Sequence, residues 1–315
     1  MSERSSEEAN TPAPHPKGST GDSTGNPAGD PSGSPSSDRA SSRTRVAVVL
    51  SAGYFGFFAH AGFMLAVEEL GLDYHAIAGS SAGAIVAALH GSGVPAAEIV
   101  EVLSSLRRKD FWDSDGVRGI LAAIARRGRG WTGLLRGDLF ESLIERHLRV
   151  KTFAECPRSV YITAFNLTRG IDETFRAGTI ADKVRASCSY PFLMAPKVID
   201  GQHYWDGGFL AKIPLETMLE AERPDRVLIH YLPARAEQVK FDERRWSAFA
   251  LMDTALTAAR KEIERHRLNS LGEALKRIEW IEPEVPRLSP RDLSKGRDAV
   301  EAAYRNALAR LNPPS

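Results

Sequence analysis

The chain lacks any excess of one charge and any cysteine-pair motif. Its 41 Lys and Arg residues are balanced by 40 Asp and Glu residues, so nothing global indicates nucleic-acid binding. Its two cysteines, Cys156 and Cys188, form no C-x-x-C motif, which argues against a metal or redox site. We interpret them as reduced, buried thiols in a reducing compartment. The D-G-D-x and H-E-x-x-H patterns are also absent, so we predict no metal and no cofactor.

The first 45 residues lack Val, Ile, Leu, Phe, Tyr and Trp entirely. Such a segment cannot bury enough apolar surface to offset the entropy of ordering the chain. We therefore expect residues 1–44 to be a disordered, low-complexity tail. It also lacks the apolar core of a secretory signal peptide.

Residues 46–67 lack Asp, Glu, Lys and Arg, and by length alone they could cross a bilayer. However, Gly53, Gly56 and Gly62 interrupt the stretch, and His60 lies inside it. Its first residues, V-A-V-V-L, are typical of a buried parallel strand rather than a membrane span. We therefore predict a cytoplasmic protein and leave open peripheral contact with the inner membrane surface.

Strands and helices alternate along the first half of the chain, which predicts a parallel sheet with right-handed crossovers. The predicted strands are 46–50, 74–78, 160–165, 173–176 and 226–231, with a hairpin of 197–199 and 203–205 around Asp200-Gly201. The predicted helices are 61–70, 84–90, 96–106, 117–125, 139–148, 180–188, 246–266 and 299–311. This pattern suggests a catalytic domain at 45–235 and a helical extension at 236–315 packed on it.

Gly79-Ser80-Ser81-Ala82-Gly83 matches the G-x-S-x-G nucleophile motif. Small flanking residues allow the sharp strand-to-helix turn that exposes a serine hydroxyl, and the following helix N-terminus favours developing negative charge. The same pattern occurs around Ser23, but no strand precedes it and no helix follows it. Ser81 has both, so we predict Ser81 as the nucleophile and Ser23 as inert.

A loop at 51–56 follows the first strand and would lie at the same sheet edge as Ser81. Its backbone N–H groups at Ala52, Gly53 and Tyr54, together with that of Ala82, are candidates for an oxyanion hole. A dinucleotide fingerprint fails here, because its first glycine would be Ser51. Aromatic residues crowd this turn, and we expect core packing, with one or two rings lining an acyl-chain pocket: Tyr54, Phe55, Phe57 and Phe58.

Asp206 is the candidate base, since a serine hydroxyl needs a partner to take its proton. It ends the returning strand of the predicted hairpin, where loops build active sites. Gly207 and Gly208 follow it and allow close backbone approach.

Taken together, these motifs resemble the patatin-like phospholipase family over about residues 45–215. The resemblance rests on the 51–56 loop, the serine motif at 79–83, the A-S-C-S-Y-P segment at 186–191 and the D-G-G at 206–208, with Pro214 after it. It implies a three-layer α/β/α sandwich with a mostly parallel central sheet. It also implies a Ser81–Asp206 dyad without histidine, glycines at 53, 56, 79, 83, 207 and 208 as motif positions, and a glycerolipid or phospholipid substrate.

The loop departs from the family pattern G-G-G-x-[RK]-G at three positions. Ser51 and Ala52 stand where the family has glycine, and Phe55 stands where it has a basic residue. Backbone donors survive these changes, so the prediction of an esterase stands.

Two other hypotheses remain open from the sequence. An α/β-hydrolase with a Ser-His-Asp triad would need a late histidine, either His230 or His266, although a core position explains His230 better. A lipid-binding, membrane-surface protein with reduced activity is the second. Residues 120–127 resemble a basic amphipathic helix, which would suit contact with an anionic membrane.

Overall fold

A central sheet of eight strands in the order β10-β9-β1-β2-β4-β8-β7, with β5 on β4, organises the structure, which is a computed structural model. It describes residues 44–114, 132–210, 212–233, 248–286, 288 and 293–312. All of these lie in the unit Arg43–Ser315, which contains both the predicted catalytic domain and the predicted extension. The predicted tail up to residue 43, the predicted helix 117–125 and the basic segment 120–127 lie outside the described residues.

Five strands of this sheet are parallel: β1 (Val46–Leu50), β2 (Ala76–Ser80), β4 (Ser159–Asn166), β9 (Arg226–His230) and β10 (Ile278–Ile281). Strands β5 (Ile171–Phe175) and β8 (Gln202–Trp205) run antiparallel to β4, and β7 (Lys197–Ile199) runs antiparallel to β8. A separate pair consists of β3 (Gly133–Leu135) and β6 (Phe192–Met194).

The helices occupy both faces of the sheet. They are α1 (Phe57–Glu69), α2 (Ala82–Gly91), α3 (Ala96–Ser105), α4 (Asp138–His147), α5 (Ala181–Ser187), α6 (Glu216–Glu222), α7 (Ala248–Ser270) and α8 (Gly296–Leu311). Among the described residues, no helix is both long and apolar enough to span a membrane.

Alternation of side chains along β1 separates two cores, because successive residues of a strand point to opposite faces. Val48 and Leu50 pack into the larger core with α1, α2 and α3. Ala47 and Val49 pack into a smaller core that includes Met218 of α6. The fold is therefore the three-layer α/β/α sandwich that the sequence predicted.

Most predicted elements occur close to their expected positions, and the hairpin turn has positive φ at both Asp200 (48°) and Gly201 (75°). Strands β3, β6 and β10 were not predicted. Strand β10 lies within 236–315, so this extension is not wholly helical. Its four residues are too short to show a period, and their pairing with β9 decides their conformation.

Gly62 lies where α1 crosses α8, and a Cβ on Gly62 would lie 2.1 Å from the carbonyl oxygen of Val300. We predict that Gly62→Ala lowers the free energy of unfolding by about 1–3 kcal/mol despite the better helix propensity of alanine, because the helices must move apart. Chemical denaturation would measure this. The control is Ala309→Ser on the exposed side of α8, which should cost about 0.5 kcal/mol or less. Equal effects would contradict the close contact.

Candidate active site

Ser81 forms the whole turn between β2 and α2. Strand β2 continues to Ser80, which pairs with Thr163 of β4, and α2 begins at Ala82. The backbone of Ser81 has φ 51° and ψ −118°, a conformation that few non-glycine residues adopt. Such a residue costs on the order of 1–3 kcal/mol and persists where the surroundings fix it. The turn is therefore a strained elbow formed by one residue, Ser81.

The flanking glycines of the motif are required by packing. A Cβ on Gly79 would lie 2.4 Å from the carbonyl oxygen of Gly83, and one on Gly83 would lie 2.2 Å from that of Leu50. No side chain fits at either position. The motif therefore requires glycine at both positions because the first turn of α2 packs closely against β1 and β2.

Asp206 reaches Ser81 because β8 runs opposite to β4. Trp205 pairs with Phe165, so the next residue lies level with the end of β2. The Ser81 hydroxyl donates to Asp206 Oδ2 at 2.6 Å, and the Gly208 N–H donates to Oδ1 at 2.8 Å. The two predicted residues are thus in direct contact.

Burial raises the pKa of the Asp206 carboxyl to about 6. The hydrogen bonds from Ser81 and Gly208 and the positive charge of Arg260 oppose this shift by stabilising the carboxylate. Burial and the Asp206 charge raise the pKa of the neighbouring Cys188, which therefore stays a neutral thiol. A carboxylate titrating near neutral pH suits a general base.

Ser187 supports the elbow, although no sequence pattern marked its hydroxyl individually. The Ser81 N–H donates to Ser187 Oγ at 2.9 Å, and that hydroxyl donates to the Thr163 carbonyl at 2.6 Å. The A-S-C-S-Y-P segment therefore ties the nucleophile's backbone to β4.

The predicted oxyanion loop faces the cavity beside Ser81, but its backbone donors are not equivalent. The Ala52 N–H donates to the Lys212 carbonyl at 2.7 Å, so it is already engaged. Gly53 and Ala82 line the cavity, and Ala82 is in the first turn of α2, where N–H groups have no partner within the helix. Of the four predicted donors, the engaged Ala52 N–H is therefore the least suitable, and the N–H groups of Gly53, Tyr54 and Ala82 remain candidates.

The glycines of this loop and of the D-G-G motif make close contacts. A Cβ on Gly53 or Gly56 would lie 2.8 or 2.2 Å from Leu232 Cδ1. One on Gly207 would lie 2.1 Å from the Thr163 carbonyl oxygen, and one on Gly208 would lie 2.6 Å from Ala52 Cβ. Because these positions have no side chain, the 51–56 loop and the Asp206 turn can pack close together.

A buried histidine pair holds the start of the loop. His60 Nε2 lies 2.9 Å from the Ser51 carbonyl oxygen and must donate to it, since a carbonyl only accepts. A neutral imidazole has one N–H, so His60 Nδ1 accepts from His230 Nδ1 at 2.7 Å. Burial lowers the pKa of both rings, to about 3 for His60, which keeps them neutral.

These contacts argue against the hypothesis of a Ser-His-Asp triad. The hydrogen bond of His230 goes to His60, and the exposed His266 lies 3.2 Å from Glu262. The hydroxyl of Ser81 bonds to Asp206 and not to a histidine. The geometry therefore favours a two-residue site.

A cavity of about 1020 Å³ opens at Ser81, somewhat larger than a common ligand pocket. Much of its lining is aliphatic or aromatic and comes from α2, α3, the segment after α3, β3, α4 and the segment after Cys188: Ile85, Leu103, Phe111, Leu135, Phe140, Ile144, Leu193 and Met194. Of the crowded aromatic residues, Tyr54, Phe55 and Phe57 line it, whereas Phe58 lies in the core. No cluster of three or more metal-ligating side chains occurs in the described part of the chain.

A family model for patatin-like phospholipases matches residues 48–219, more than half of the chain. The chain belongs to the patatin-like phospholipase family. The matched residues include both Ser81 and Asp206 and the loop before α1.

Two relatives of this patatin-like protein are themselves uncharacterized proteins. An uncharacterized NTE-family protein of Mycobacterium tuberculosis is 28% identical over 176 residues, covering 55% of this chain and 45% of the mycobacterial protein. The uncharacterized protein YqhO of Bacillus subtilis is 29% identical over 223 residues, covering 64% of this chain and 76% of YqhO. The chain thus spans less than half the length of its mycobacterial relatives.

Among solved structures, VipD from Legionella pneumophila is similar, with a TM-score of 0.51. The match covers 85% of this chain and 67% of VipD at 16% sequence identity. At that identity the likeness supports the sandwich fold alone.

We predict that His60 and His230 stabilise the protein as a coupled pair. His60→Leu leaves the Ser51 carbonyl and a His230 N–H without partners, and His230→Leu removes the donor to His60, so each should cost about 1–3 kcal/mol. The double variant should cost less than the sum by at least about 1 kcal/mol, because it leaves no unpaired ring nitrogen. Denaturant unfolding of the four proteins measures this coupling.

His266→Leu is the matched control for this cycle. Its side chain is exposed, so its effect should stay within about 0.5 kcal/mol. Additive effects of the two buried substitutions would show that the rings act independently.

Proposed function

We propose that this patatin-like protein is a serine lipid acyl hydrolase of the phospholipase A or lipase type. The observation that carries the proposal is the 2.6 Å hydrogen bond from the Ser81 hydroxyl to Asp206. A nucleophile bonded to a base that titrates near neutral pH has the arrangement that acyl transfer requires.

The proposed reaction has two halves. Asp206 accepts the Ser81 proton as the oxygen attacks the ester carbonyl, and the N–H groups of Gly53 and Ala82 stabilise the oxyanion. The protonated Asp206 then donates to the leaving alcohol, which departs and leaves an acyl-serine. Water, deprotonated by Asp206, releases the fatty acid and restores the hydroxyl of Ser81.

The cavity supports a lipid substrate. Its apolar lining can bury an acyl chain, and burial of such a chain contributes roughly 0.8 kcal/mol per methylene group. The ester of a glycerolipid would then lie at Ser81. We also propose peripheral contact with an anionic membrane as the source of the substrate.

The strain at Ser81 argues against the hypothesis of a lipid-binding protein with reduced activity. A positive φ at the residue that presents a hydroxyl to Asp206 has a conformational cost that a purely lipid-binding protein does not need. Strain of this kind is typical of catalytic turns.

We predict that a fluorophosphonate probe labels Ser81 and that Ser81→Ala abolishes labelling. Hydrolysis of a short-chain ester should fall by about three orders of magnitude or more in this variant, because the nucleophile is gone. Peptide mapping by mass spectrometry identifies the modified serine.

Ser23→Ala is the matched control, since Ser23 lies in the second G-x-S-x-G pattern of the chain. It should label and hydrolyse like the unchanged protein. A probe adduct on Ser23 or elsewhere, with Ser81 unmodified, would rule out the proposed nucleophile.

The pH dependence of kcat/KM provides a separate prediction. Asp206 must be ionised to accept a proton, and its pKa is raised to about 6. Activity on a neutral short-chain ester should therefore fall about tenfold per pH unit below about pH 6 and level off above it. An acid limb near the ordinary carboxyl pKa of about 4 would contradict the raised pKa of Asp206.

A further inference from the structure

Helix α7 contributes a polar part of the cavity lining. Thr257, Arg260 and Glu264 of α7 all line the cavity. Their spacing of three and four residues places them on one face of the helix. Helix α7 therefore presents a polar face to the site that holds Ser81 and Asp206.

Arg260 has a guanidinium group whose charge is not neutralised by an ion pair. Its Nε donates to the Phe209 carbonyl at 2.8 Å, and its guanidinium carbon lies 5.9 Å from the Phe209 ring centre. Among the described residues, no carboxylate lies within ion-pair distance of it. Since Phe209 is in the turn that begins at Asp206, the cation lies beside the base.

The neighbouring charged residues Lys212 and Glu264 contact other groups. The Lys212 ammonium donates to the Leu232 carbonyl and lies 4.1 Å from the Tyr231 ring centre. Burial raises the pKa of Glu264, whose Oε2 lies 3.5 Å from the Tyr231 hydroxyl. Arg260 therefore offers a ligand planar N–H donors beside the Asp206 turn.

We propose that Arg260 binds the phosphodiester of a glycerophospholipid whose acyl ester lies at Ser81, and thereby selects phospholipids over neutral glycerides. This inference rests on the proposed hydrolase function and names a residue that sets its substrate class.

The phosphodiester and the Arg260 guanidinium group are complementary in charge and in hydrogen bonding. A phosphodiester is a monoanion with two free oxygens, and guanidinium offers paired N–H donors in a plane that suits them. Only a few covalent bonds separate the phosphorus from the nearer acyl ester of a glycerophospholipid. A cation beside the Asp206 turn is therefore within reach of a headgroup whose ester occupies the site.

The test compares dihexanoyl phosphatidylcholine with dihexanoylglycerol, which has the same acyl chains and no phosphate. In Arg260→Gln, the ratio of kcat/KM for phospholipid to that for diacylglycerol should fall about 10- to 100-fold. Assays at about pH 8.5 keep Asp206 ionised. Arg260→Lys keeps the charge without the planar fork and should give an intermediate ratio.

Arg265→Gln is the matched control, because Arg265 lies on the same helix, is exposed and pairs with Glu262. Its ratio should equal that of the unchanged protein. A fall of the same size in both Arg260→Gln and Arg265→Gln would reflect a general change of charge and would overturn the assignment.

Two further readouts separate binding from a structural role. The acid limb of diacylglycerol hydrolysis should move to higher pH in Arg260→Gln, since the cation that stabilises the carboxylate is lost. By calorimetry, Ser81→Ala should bind dihexanoyl phosphatidylcholine more tightly than Ser81→Ala/Arg260→Gln. If Ser81→Ala bound inorganic phosphate as tightly as it binds dihexanoyl phosphatidylcholine, Arg260 would belong to a site for free phosphate. That result would overturn the headgroup assignment.

Failure of the proposed hydrolase function and failure of the proposed role of Arg260 would give different results. If both substrates are hydrolysed and the ratio does not change in Arg260→Gln, the hydrolase function stands and the role of Arg260 is wrong. If neither ester is hydrolysed, the proposed function is wrong, and the calorimetric comparison alone decides whether Arg260 binds the phosphate.

Discussion

The hydrogen bond between Ser81 and Asp206 is the constraint around which the rest of the site is built. It requires a hydroxyl presented by a one-residue turn and a carboxylate delivered by a strand that runs the opposite way. The first needs glycines at positions 79 and 83, where backbone atoms leave no space for a Cβ. The second needs the hairpin that returns the chain to the edge of the sheet.

The parallel strands bring the remaining parts of the site to this edge. The carboxyl ends of β1, β2 and β9 lie side by side, so the loops that follow them meet. The Ser51–Ala52 peptide is held on both sides, its carbonyl by His60 and its N–H by the Lys212 carbonyl. In the proposed reaction, a loop fixed in this way presents the next N–H group without a reorganisation cost.

Opposing electrostatic effects set the protonation state of Asp206. Burial favours the neutral carboxyl of Asp206, whereas its hydrogen bonds and the Arg260 cation favour the carboxylate, and the resulting pKa of about 6 lies near neutral pH. Arg260, whose charge favours this carboxylate, is also the residue that we propose binds an anionic headgroup. In this way, α7 connects the polar end of the cavity to the chemistry at Ser81.

The sequence by itself predicted a mostly parallel sheet, the elbow at Ser81 and Asp206 as its partner, and the family resemblance of its motifs implied the α/β/α sandwich. These depend on local rules: buried parallel strands are continuous apolar runs, a tight elbow needs small residues, and Asp-Gly marks a hairpin. Only the tertiary structure decided that the Ala52 N–H is already engaged, that His60 and His230 form a pair, and that β10 joins the sheet. It alone also placed Arg260 beside Asp206. Each of these is a contact between segments far apart in the chain, and no local periodicity encodes such a contact.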